Sequence, residues 1–359
     1  MAGRSPTPGT DALPADLQAI AERVEARVGL LLDEERQRWA ALDPALAEPI
    51  EALRELVVAG GKRLRPAFCH WGFVGAGGDP DDPQVVDAGA AFELLQGFAL
   101  IHDDVMDGSA VRRGAPTVHR QFVERHAAED WAGEGRRFGE GVAILVGDLA
   151  LVYADQLLPA GPVELGRLWD ELRIELNIGQ YLDLLGTATG RRDRGDARRI
   201  ARYKSGKYTI ERPLQLGATL AGRHAELAEP LSRYGDPLGE AFQLRDDVLG
   251  VFGDSDRTGK PVGDDLREGN PTLLLAVADE NATAAQRPLL ARVGDPDLTI
   301  GEVADLQAVL TDCGALVAVE AEISALAARA VEAIASVAIT AEARTALVDL
   351  AAFVVARDN

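Results

Sequence analysis

Apolar residues recur at intervals of three and four along nearly the whole chain. The first such run begins near Asp16 and has apolar side chains at Leu17, Ile20, Val24, Val28 and Leu31. These intervals place side chains on one face of an α-helix, whereas the alternation typical of a half-buried strand is scarce. Glycine- and proline-rich breaks fall at 60–61, 75–83, 133–141, 190–195, 253–263 and 294–296. The pattern predicts an all-α fold, a single-domain bundle of long helices around one core, with no sheet.

The domain organisation follows from the same pattern. The 359 residues allow one large domain or two ordinary ones, but no change in composition marks a boundary and no short repeat is visible. Residues 1–14 are rich in Pro, Gly, Ser and Thr and are predicted to form a mobile tail. Residues 15–359 are predicted to form one domain.

Charge and composition exclude several classes of function. The formal net charge is -21, and a surface this acidic repels nucleic acid and anionic lipid head groups. The segment at the N-terminus has no apolar run typical of a secretory signal, and no stretch of about 20 apolar residues predicts a membrane span. The two cysteines have no spacing typical of a zinc site or a disulfide framework. We therefore expect a cytoplasmic protein with no nucleic-acid partner.

A cluster of aspartates ends an apolar helix. Residues 92–107 are almost wholly apolar up to Ile101 and finish with Asp103, Asp104 and Asp107. At about 100° per residue, Gln96, Ala99, Asp103 and Asp107 share one stripe of this helix. Carboxylates at the end of a buried helix repel one another and resist desolvation. Divalent cations resolve that conflict, and Mg²⁺ prefers carboxylates combined with substrate phosphates. The alternative is an exposed helix end that is acidic by chance.

A second, weaker cluster follows about 140 residues later. Gln243 and Asp246 share a helix face, Asp247 is adjacent, and Gly250 stands where a third aspartate would match the first cluster. The loop that follows carries Lys260, a flexible cation that could contact phosphate. Taken alone, that loop is equally typical of solvent-exposed turns.

Three basic islands stand out in this acidic chain. Arg112 and Arg113 follow the first aspartate cluster directly, and guanidinium groups suit bidentate contact with phosphate. The other two islands supply Lys62 and Arg65 in GGKRLRP and Lys204 and Ser205 in RYKSGKYT. Each island alone is typical of surface charge. Together with two aspartate clusters they predict two anion sites, one bridged by metal and one bound directly by basic side chains.

These motifs, taken in order, resemble those of the trans-isoprenyl diphosphate synthases, or polyprenyl synthetases. The matching segments run from about residue 50 to 272 and are GGKRLRP, ELLQGFALIHDDVMD, RRGAPT, KSG, FQLRDD and GK. Their wording is most similar to that of actinobacterial geranylgeranyl diphosphate synthases. The resemblance implies an all-α fold of the isoprenoid synthase type around a deep central cavity, a homodimer, and Mg²⁺ as cofactor with three ions in each active site.

The resemblance also implies roles for individual residues. Asp103 and Asp107 would bind Mg²⁺ beside the allylic diphosphate, with Asp104 nearby, and Asp246 would bind a further ion with Asp247 and Asp265 around it. The diphosphate of isopentenyl diphosphate would be held by Lys62, Arg65 and Arg113, with Gln96 lining that site. The allylic diphosphate would meet Arg112, Lys204 and Lys260, and the developing cation would lie beside Ser205 and Gln243. The catalytic set would thus be Asp103, Asp104, Asp107, Arg112, Lys204, Asp246 and Lys260.

Product length is expected to depend on the helix that carries Asp103. Ala99 lies about 6 Å below Asp103 and is too small to block a growing chain, whereas Phe92 lies about 16 Å below it and could form a floor. Phe98 lies off this stripe, but an aromatic residue there beside a small one is typical of family members that stop near twenty carbons. We therefore expect geranylgeranyl diphosphate, with a farnesyl or longer product as the alternative and plain core packing as the other role for Phe98.

Two departures and two competing functions complete the interpretation. Gly250 replaces an aspartate, and Asn270 stands where the family often has lysine. Because of these departures, a weakly active or regulatory subunit of a heteromeric synthase remains an alternative function. A class I terpene cyclase shares the first aspartate cluster but takes one diphosphate, so the islands at Lys62 and Arg112 argue against it.

Overall fold

The computed structural model describes residues 15–253 and 263–356. The predicted tail 1–14 and Lys260 lie outside the described residues. Within them the protein is almost entirely helical, which confirms the predicted fold class.

The first half of the chain supplies seven helices and one small hairpin. In chain order these are α1 (Ala15–Ala40), a 3₁₀ turn (Pro44–Ala47), α2 (Glu48–Val58), α3 (Leu64–Gly75), α4 (Pro83–Asp107), β1 (Val111–Arg112), β2 (Ala115–Pro116), α5 (Val118–Ala128), α6 (Gly135–Leu157) and α7 (Val163–Thr189). The strands β1 and β2 pair antiparallel, with Arg112 opposite Ala115. This two-residue pairing corrects the expectation of no sheet, and it arises where Gly114 adopts a positive φ of 75° in the connecting turn.

The second half begins with an unusual helix. After α8 (Arg194–Ile200), a π-helix runs over Ala201–Glu211 and continues directly into α9 (Arg212–Leu220). The remaining helices are α10 (His224–Phe252), α11 (Asp264–Glu268), α12 (Leu273–Asn281), α13 (Arg287–Leu290), α14 (Ile300–Asp312), α15 (Ala315–Ala335) and α16 (Ala341–Ala356). π-Helical turns are rare and often mark functional sites.

Glycines allow the π-helix to pack unusually close to both neighbours. A Cβ atom on Gly179 of α7 would lie 2.2 Å from the backbone nitrogen of Lys204. On the other side, a Cβ on Gly239 of α10 would lie 2.5 Å from the carbonyl oxygen of Gly206. The π-helix is therefore held between α7 and α10 by direct backbone contact.

An ionic cluster fixes the C-terminal end of the π-helix. Lys207 Nζ lies 2.9 Å from Glu211 and 3.5 Å from Glu175, and Arg212 makes a bidentate pair with Glu175 at 2.6 and 2.7 Å. Ser232 donates a hydrogen bond of 2.5 Å to Glu211. Because these two buried carboxylates meet two cations, the burial of charge is compensated.

The helix α4 runs through the larger of two hydrophobic clusters. Among the described residues, it is the one helix long and apolar enough to cross a membrane by composition, and 61% of its most apolar window is buried inside the fold. Buried core helices of soluble proteins pass the same test, so this is weak evidence for a span. The smaller cluster joins the end of α10 to helices α11–α15 through residues such as Val248, Leu266 and Leu306.

One predicted break is shorter and lies earlier than its glycines indicate. The chain does break between α5 and α6, at 129–134, but α6 begins at Gly135 and includes Gly139. A Cβ on Gly139 would lie 2.3 Å from the carbonyl oxygen of His119. Gly139 thus serves the close packing of α5 against α6 and does not end a helix.

Candidate active site

The main cavity has a volume of about 730 Å³. Its lining comes from the start of α3, the ends of α4 and α10, the hairpin, α7, α8, the π-helix and the segment 264–272. Most of the predicted site residues lie together there, namely Lys62, Arg65, Gln96, Asp103, Asp107, Arg112, Arg113, Lys204, Ser205, Gln243, Asp246 and Asp247. Segments more than 180 residues apart in the chain therefore meet at one site.

The three aspartates at the end of α4 do not all face the cavity. Asp103 and Asp107, four residues apart, line the cavity. Asp104 is buried and accepts two hydrogen bonds from Arg112 Nε, at 2.9 and 3.0 Å. The helix then stops at Gly108, which adopts the left-handed conformation with φ 68°. Asp104 therefore orients Arg112, whose Nη2 also lies 3.6 Å from Asp103.

Besides Arg112, two side chains from other elements contact Asp103. Lys204 Nζ lies 3.2 Å from Asp103 and 2.6 Å from Asp183 of α7. Gln180, one turn before Asp183, donates a hydrogen bond of 2.8 Å to Asp103. Burial disfavours the charged form of Lys204, but Asp103 and Asp183 outweigh this and raise its pKa. Lys204 is thus a permanent cation against the aspartates.

The end of α10 supplies the facing carboxylates. Asp246 lines the cavity, and Gln243 donates a hydrogen bond of 2.7 Å to Asp247. Asp247 is buried. Burial raises the pKa of Asp247 to about 8, and the charges of Asp265 and Asp246 act in the same direction.

The carboxyl groups at this end of the cavity are held in an environment that disfavours their charge. Burial raises the pKa of Asp107 to about 7, and Asp103 adds to the shift while Lys204 opposes it. A cation bound beside such a carboxyl group would favour its ionised form. Among the described residues, no three acidic, histidine or cysteine side chains converge closely enough to hold a metal ion by themselves. Mg²⁺ needs one or two carboxylates together with phosphate oxygens, so the donor set fits this ion.

The opposite end of the cavity is basic. Arg65 stacks on the Tyr208 ring, with its guanidinium carbon 4.1 Å from the ring centre, and donates a hydrogen bond of 2.8 Å to Thr209. Arg65 Nε is buried and has no hydrogen-bond partner among the described residues. Tyr208 also donates to Gln96. A buried donor without a partner costs free energy, which an anion bound here would recover.

Two arginines in left-handed backbone conformations shape this basic end. Arg63 has φ 48° and lies buried, where its side chain pairs with Glu93 and, at 2.9 Å, with Glu25. Arg113 has φ 54° and donates to the carbonyl oxygen of Gly60. Positive φ values are uncommon for residues with a Cβ. Arg63 therefore serves to fix the loop, and both Arg63 and its neighbour Lys62 line the cavity.

The three predicted length-determining residues do not line this cavity. Phe92 is fully buried and packs edge-on against Trp169, with ring centres 5.5 Å apart. Phe98 packs against His102 at 4.7 Å, and Ala99 is partly buried against the main core. Asn270 does line the cavity and donates a hydrogen bond of 2.8 Å to Glu268.

Sequence reasoning missed Gln180 and Asp183. Both lie on α7 and contact Asp103 or its partner Lys204. The available signal was a glutamine and an aspartate three residues apart in QYLDLLG, a segment that is otherwise without charged or amide side chains. That pattern indicates polar groups on one helix face.

Comparison with known proteins agrees with this geometry. The family model for polyprenyl synthetase matches residues 47–310. The chain is 34% identical over 271 residues to a geranylfarnesyl diphosphate synthase of Aeropyrum pernix, covering 73% of this chain and 79% of that protein. It is 33% identical over 304 residues to a geranylgeranyl diphosphate synthase of Mycobacterium tuberculosis, covering 78% and 77%.

Solved structures show the same likeness. A geranylgeranyl pyrophosphate synthase of Corynebacterium glutamicum, complexed with isoprenyl diphosphate and magnesium, superimposes with a TM-score of 0.90 at 37% identity. The match covers 95% of this chain and 99% of that one. The resemblance stated from the motifs is confirmed, and the chain belongs to the polyprenyl synthetase family of prenyltransferases.

Proposed function

We propose that this enzyme condenses isopentenyl diphosphate with an allylic diphosphate to give a longer all-trans prenyl diphosphate, with geranylgeranyl diphosphate as the main product. The observation that carries the proposal is that one cavity is lined by two groups of side chains, an acidic group that includes Asp103, Asp107 and Asp246 and a basic group that includes Lys62, Arg65 and Arg113. A reaction that joins two diphosphates needs two anion sites with different chemistry. The acidic end suits a diphosphate bridged by metal, and the basic end suits one bound directly by Lys62, Arg65 and Arg113.

Mg²⁺ ions, three in our proposal, would be held by Asp103 and Asp107 on α4 and by Asp246 with Asp247 on α10. Bound there, they would neutralise the charge of the leaving diphosphate as Lewis acids. Arg112 and Lys204 add fixed positive charge, and Lys260 is proposed as a further contact. Fixed charges of this kind stabilise a developing anion without having to reorganise during the reaction.

The chemical step needs no side-chain nucleophile. The allylic carbon–oxygen bond breaks, and its electron pair leaves with the diphosphate. The double bond of isopentenyl diphosphate then attacks the allylic cation, a carbon–carbon bond forms, and a proton passes to the departed diphosphate. Ser205 and Gln243 line the cavity where that cation would form, and Asp104 acts by orienting Arg112. Exclusion of water protects the cation.

The test is an elongation assay with labelled isopentenyl diphosphate, Mg²⁺ and dimethylallyl, geranyl or farnesyl diphosphate as primer. We expect incorporation that EDTA abolishes and a twenty-carbon product in chromatography. A product of another length would retain the prenyl transfer and reject the proposed length. Release of diphosphate from the primer without use of isopentenyl diphosphate would indicate a cyclase. No incorporation with any primer would indicate a regulatory subunit.

We also propose a homodimer in the cytoplasm, in which residues 15–359 form one domain. Two consecutive helices expose large apolar side chains, more than a soluble monomer needs. They include Leu145 and Val152 on α6, exposed to 62% and 60%, and Ile174, Ile178 and Tyr181 on α7. Light scattering after size-exclusion chromatography should give twice the mass of 38.1 kDa. The Leu145→Glu/Ile178→Glu variant should be monomeric, and a wild-type monomer would contradict the assignment.

A further inference from the structure

The end of α10 carries an aspartate cluster that is incomplete in sequence. Asp246 and Gly250 are four residues apart, so they share one face of the helix about 6 Å apart. On α4 the equivalent spacing is filled by Asp103 and Asp107. Gly250 therefore leaves the α10 cluster without a carboxylate one turn beyond Asp246.

The space beside Gly250 is nevertheless occupied by a carboxylate. A Cβ atom on Gly250 would lie 1.8 Å from Oδ2 of Asp265 and 2.4 Å from its Cγ. Real Cβ atoms essentially never approach another heavy atom this closely. Asp265, Gly250 and Asp246 all line the cavity. Any side chain at position 250 and the present position of the Asp265 carboxylate thus exclude each other.

The segment that carries Asp265 is firmly anchored. The helix α11 begins after Gly263, whose φ is 73° and whose Cβ would lie 2.3 Å from Val303. The next residue after Asp265, Leu266, is fully buried, and its carbonyl oxygen accepts a hydrogen bond of 2.8 Å from the backbone of Gly294. The core beneath α11 therefore fixes the backbone that presents the Asp265 side chain to position 250.

We propose that Asp265 supplies from α11 the carboxylate that α10 lacks at position 250, and that Gly250 is required because it leaves room for this group. The inference rests on the proposed function, which places Mg²⁺ and a diphosphate beside Asp246. In this exchange, α10 has no carboxylate at position 250 and α11 supplies one from Asp265. Gly250 is not a lost ligand, and restoring an aspartate there alone would displace Asp265.

The exchange can be tested by metal binding without catalysis. The probe is Mn²⁺ in the presence of inorganic diphosphate, with free Mn²⁺ measured by electron paramagnetic resonance. Gly250→Ala adds one methyl group and no charge, and Asp265→Asn removes a charge at nearly constant volume. Each should weaken the binding of at least one ion by about 10–100-fold, as expected when a group around a metal is lost. Gly250→Asp should do the same, and Gly250→Asp/Asp265→Ala should recover binding to within about threefold of wild type.

Matched controls separate this effect from loss of folding. Gly166→Ala is also a glycine-to-alanine change within a helix, at a position with no neighbour within 4 Å of the new atom. Asp305→Asn removes an exposed charge from α14. Both should bind Mn²⁺ as wild type does, and the thermal midpoints of all variants should show that they are folded.

Three results would overturn the inference. These are wild-type binding by Gly250→Ala or Asp265→Asn, tighter binding by Gly250→Asp alone, and a double variant no better than Gly250→Asp. The elongation assay on wild type keeps the two proposals distinct. Active wild type with variants that bind normally rejects only the exchange, whereas inactive wild type with any primer rejects the proposed function.

Discussion

Gly179 offers the sharpest test of how the π-helix positions Lys204. In Gly179→Ala the new Cβ would lie 2.2 Å from the backbone nitrogen of Lys204 and 2.4 Å from the carbonyl carbon of Tyr203. Because both atoms belong to the backbone, no rotamer change relieves the clash. An ordinary contact begins at 3.4 Å, so the π-helix and α7 must separate by about 1 Å, the difference between these distances.

Two magnitudes follow from that displacement. Overpacking costs about 1–3 kcal/mol, and alanine in a helix interior returns about 0.5–1 kcal/mol, so the net loss of stability is at most about 2.5 kcal/mol. With an unfolding entropy of about 0.75 kcal/mol/K for a chain of this length, the thermal midpoint should fall by no more than about 3 °C. A catalytic group displaced by about 1 Å, by contrast, loses about 100-fold in rate.

The assay compares kcat/KM for the allylic diphosphate with the thermal midpoint. Gly166→Ala is the matched control, because it lies on the same helix with open space around it. We expect the control to keep its activity and Gly179→Ala to lose about 100-fold while it remains folded. A folded Gly179→Ala that keeps more than a third of wild-type activity would refute the argument that close backbone contact positions Lys204.

Three further predictions test the rest of the site. Asp103→Asn should lower kcat/KM for the allylic diphosphate by about 100–1,000-fold at saturating isopentenyl diphosphate, whereas Arg65→Met should mainly raise the KM of isopentenyl diphosphate. Steady-state kinetics with each substrate varied in turn measures both effects. If both variants changed the same constant, the two groups of side chains would not serve different substrates. Burial and neighbouring carboxylates raise the pKa of Asp107 to about 7 and that of Asp247 to about 8, so the metal-free folded protein retains protons that the unfolded chain releases near pH 4. The contribution of these two groups to stability should therefore be fully present below about pH 4 and be lost as the pH rises to about 8, while the apparent Mg²⁺ affinity rises over the upper part of this range. A thermal midpoint in EDTA that is independent of pH would contradict this. Phe92 and Phe98 do not line the cavity, so their assignment as the stop requires the growing chain to reach them; if it does, Phe92→Ala and Phe98→Ala should lengthen the product in chromatography, and unchanged length in both would reject the assignment.

The fold and much of the site could be predicted because their signals are local. The spacing of apolar residues specifies helices, and Asp103, Lys204 and Asp246 each lie in a short motif with its own charge pattern. Residues whose role depends on which segments meet were out of reach. Gly139 belongs to a glycine-rich segment that predicts a break. It lies inside α6, where the backbone of His119 packs against it too closely for any side chain. Gly250 similarly has the appearance of a missing aspartate until Asp265, fifteen residues later, is found beside it.

The π-helix has a consequence for the insertions and deletions that this fold can accept. Its hydrogen bonds join residues five apart, whereas those of an α-helix join residues four apart. Removal of one residue from 201–211 would favour an ordinary α-helical turn, in which the side chains of this segment would point in other directions relative to α9. Lys204 and Arg65's partner Thr209 lie on this one segment, so a change of length that is harmless in a surface loop would separate the two ends of the cavity. Natural variation within this segment should accordingly replace residues and preserve their number.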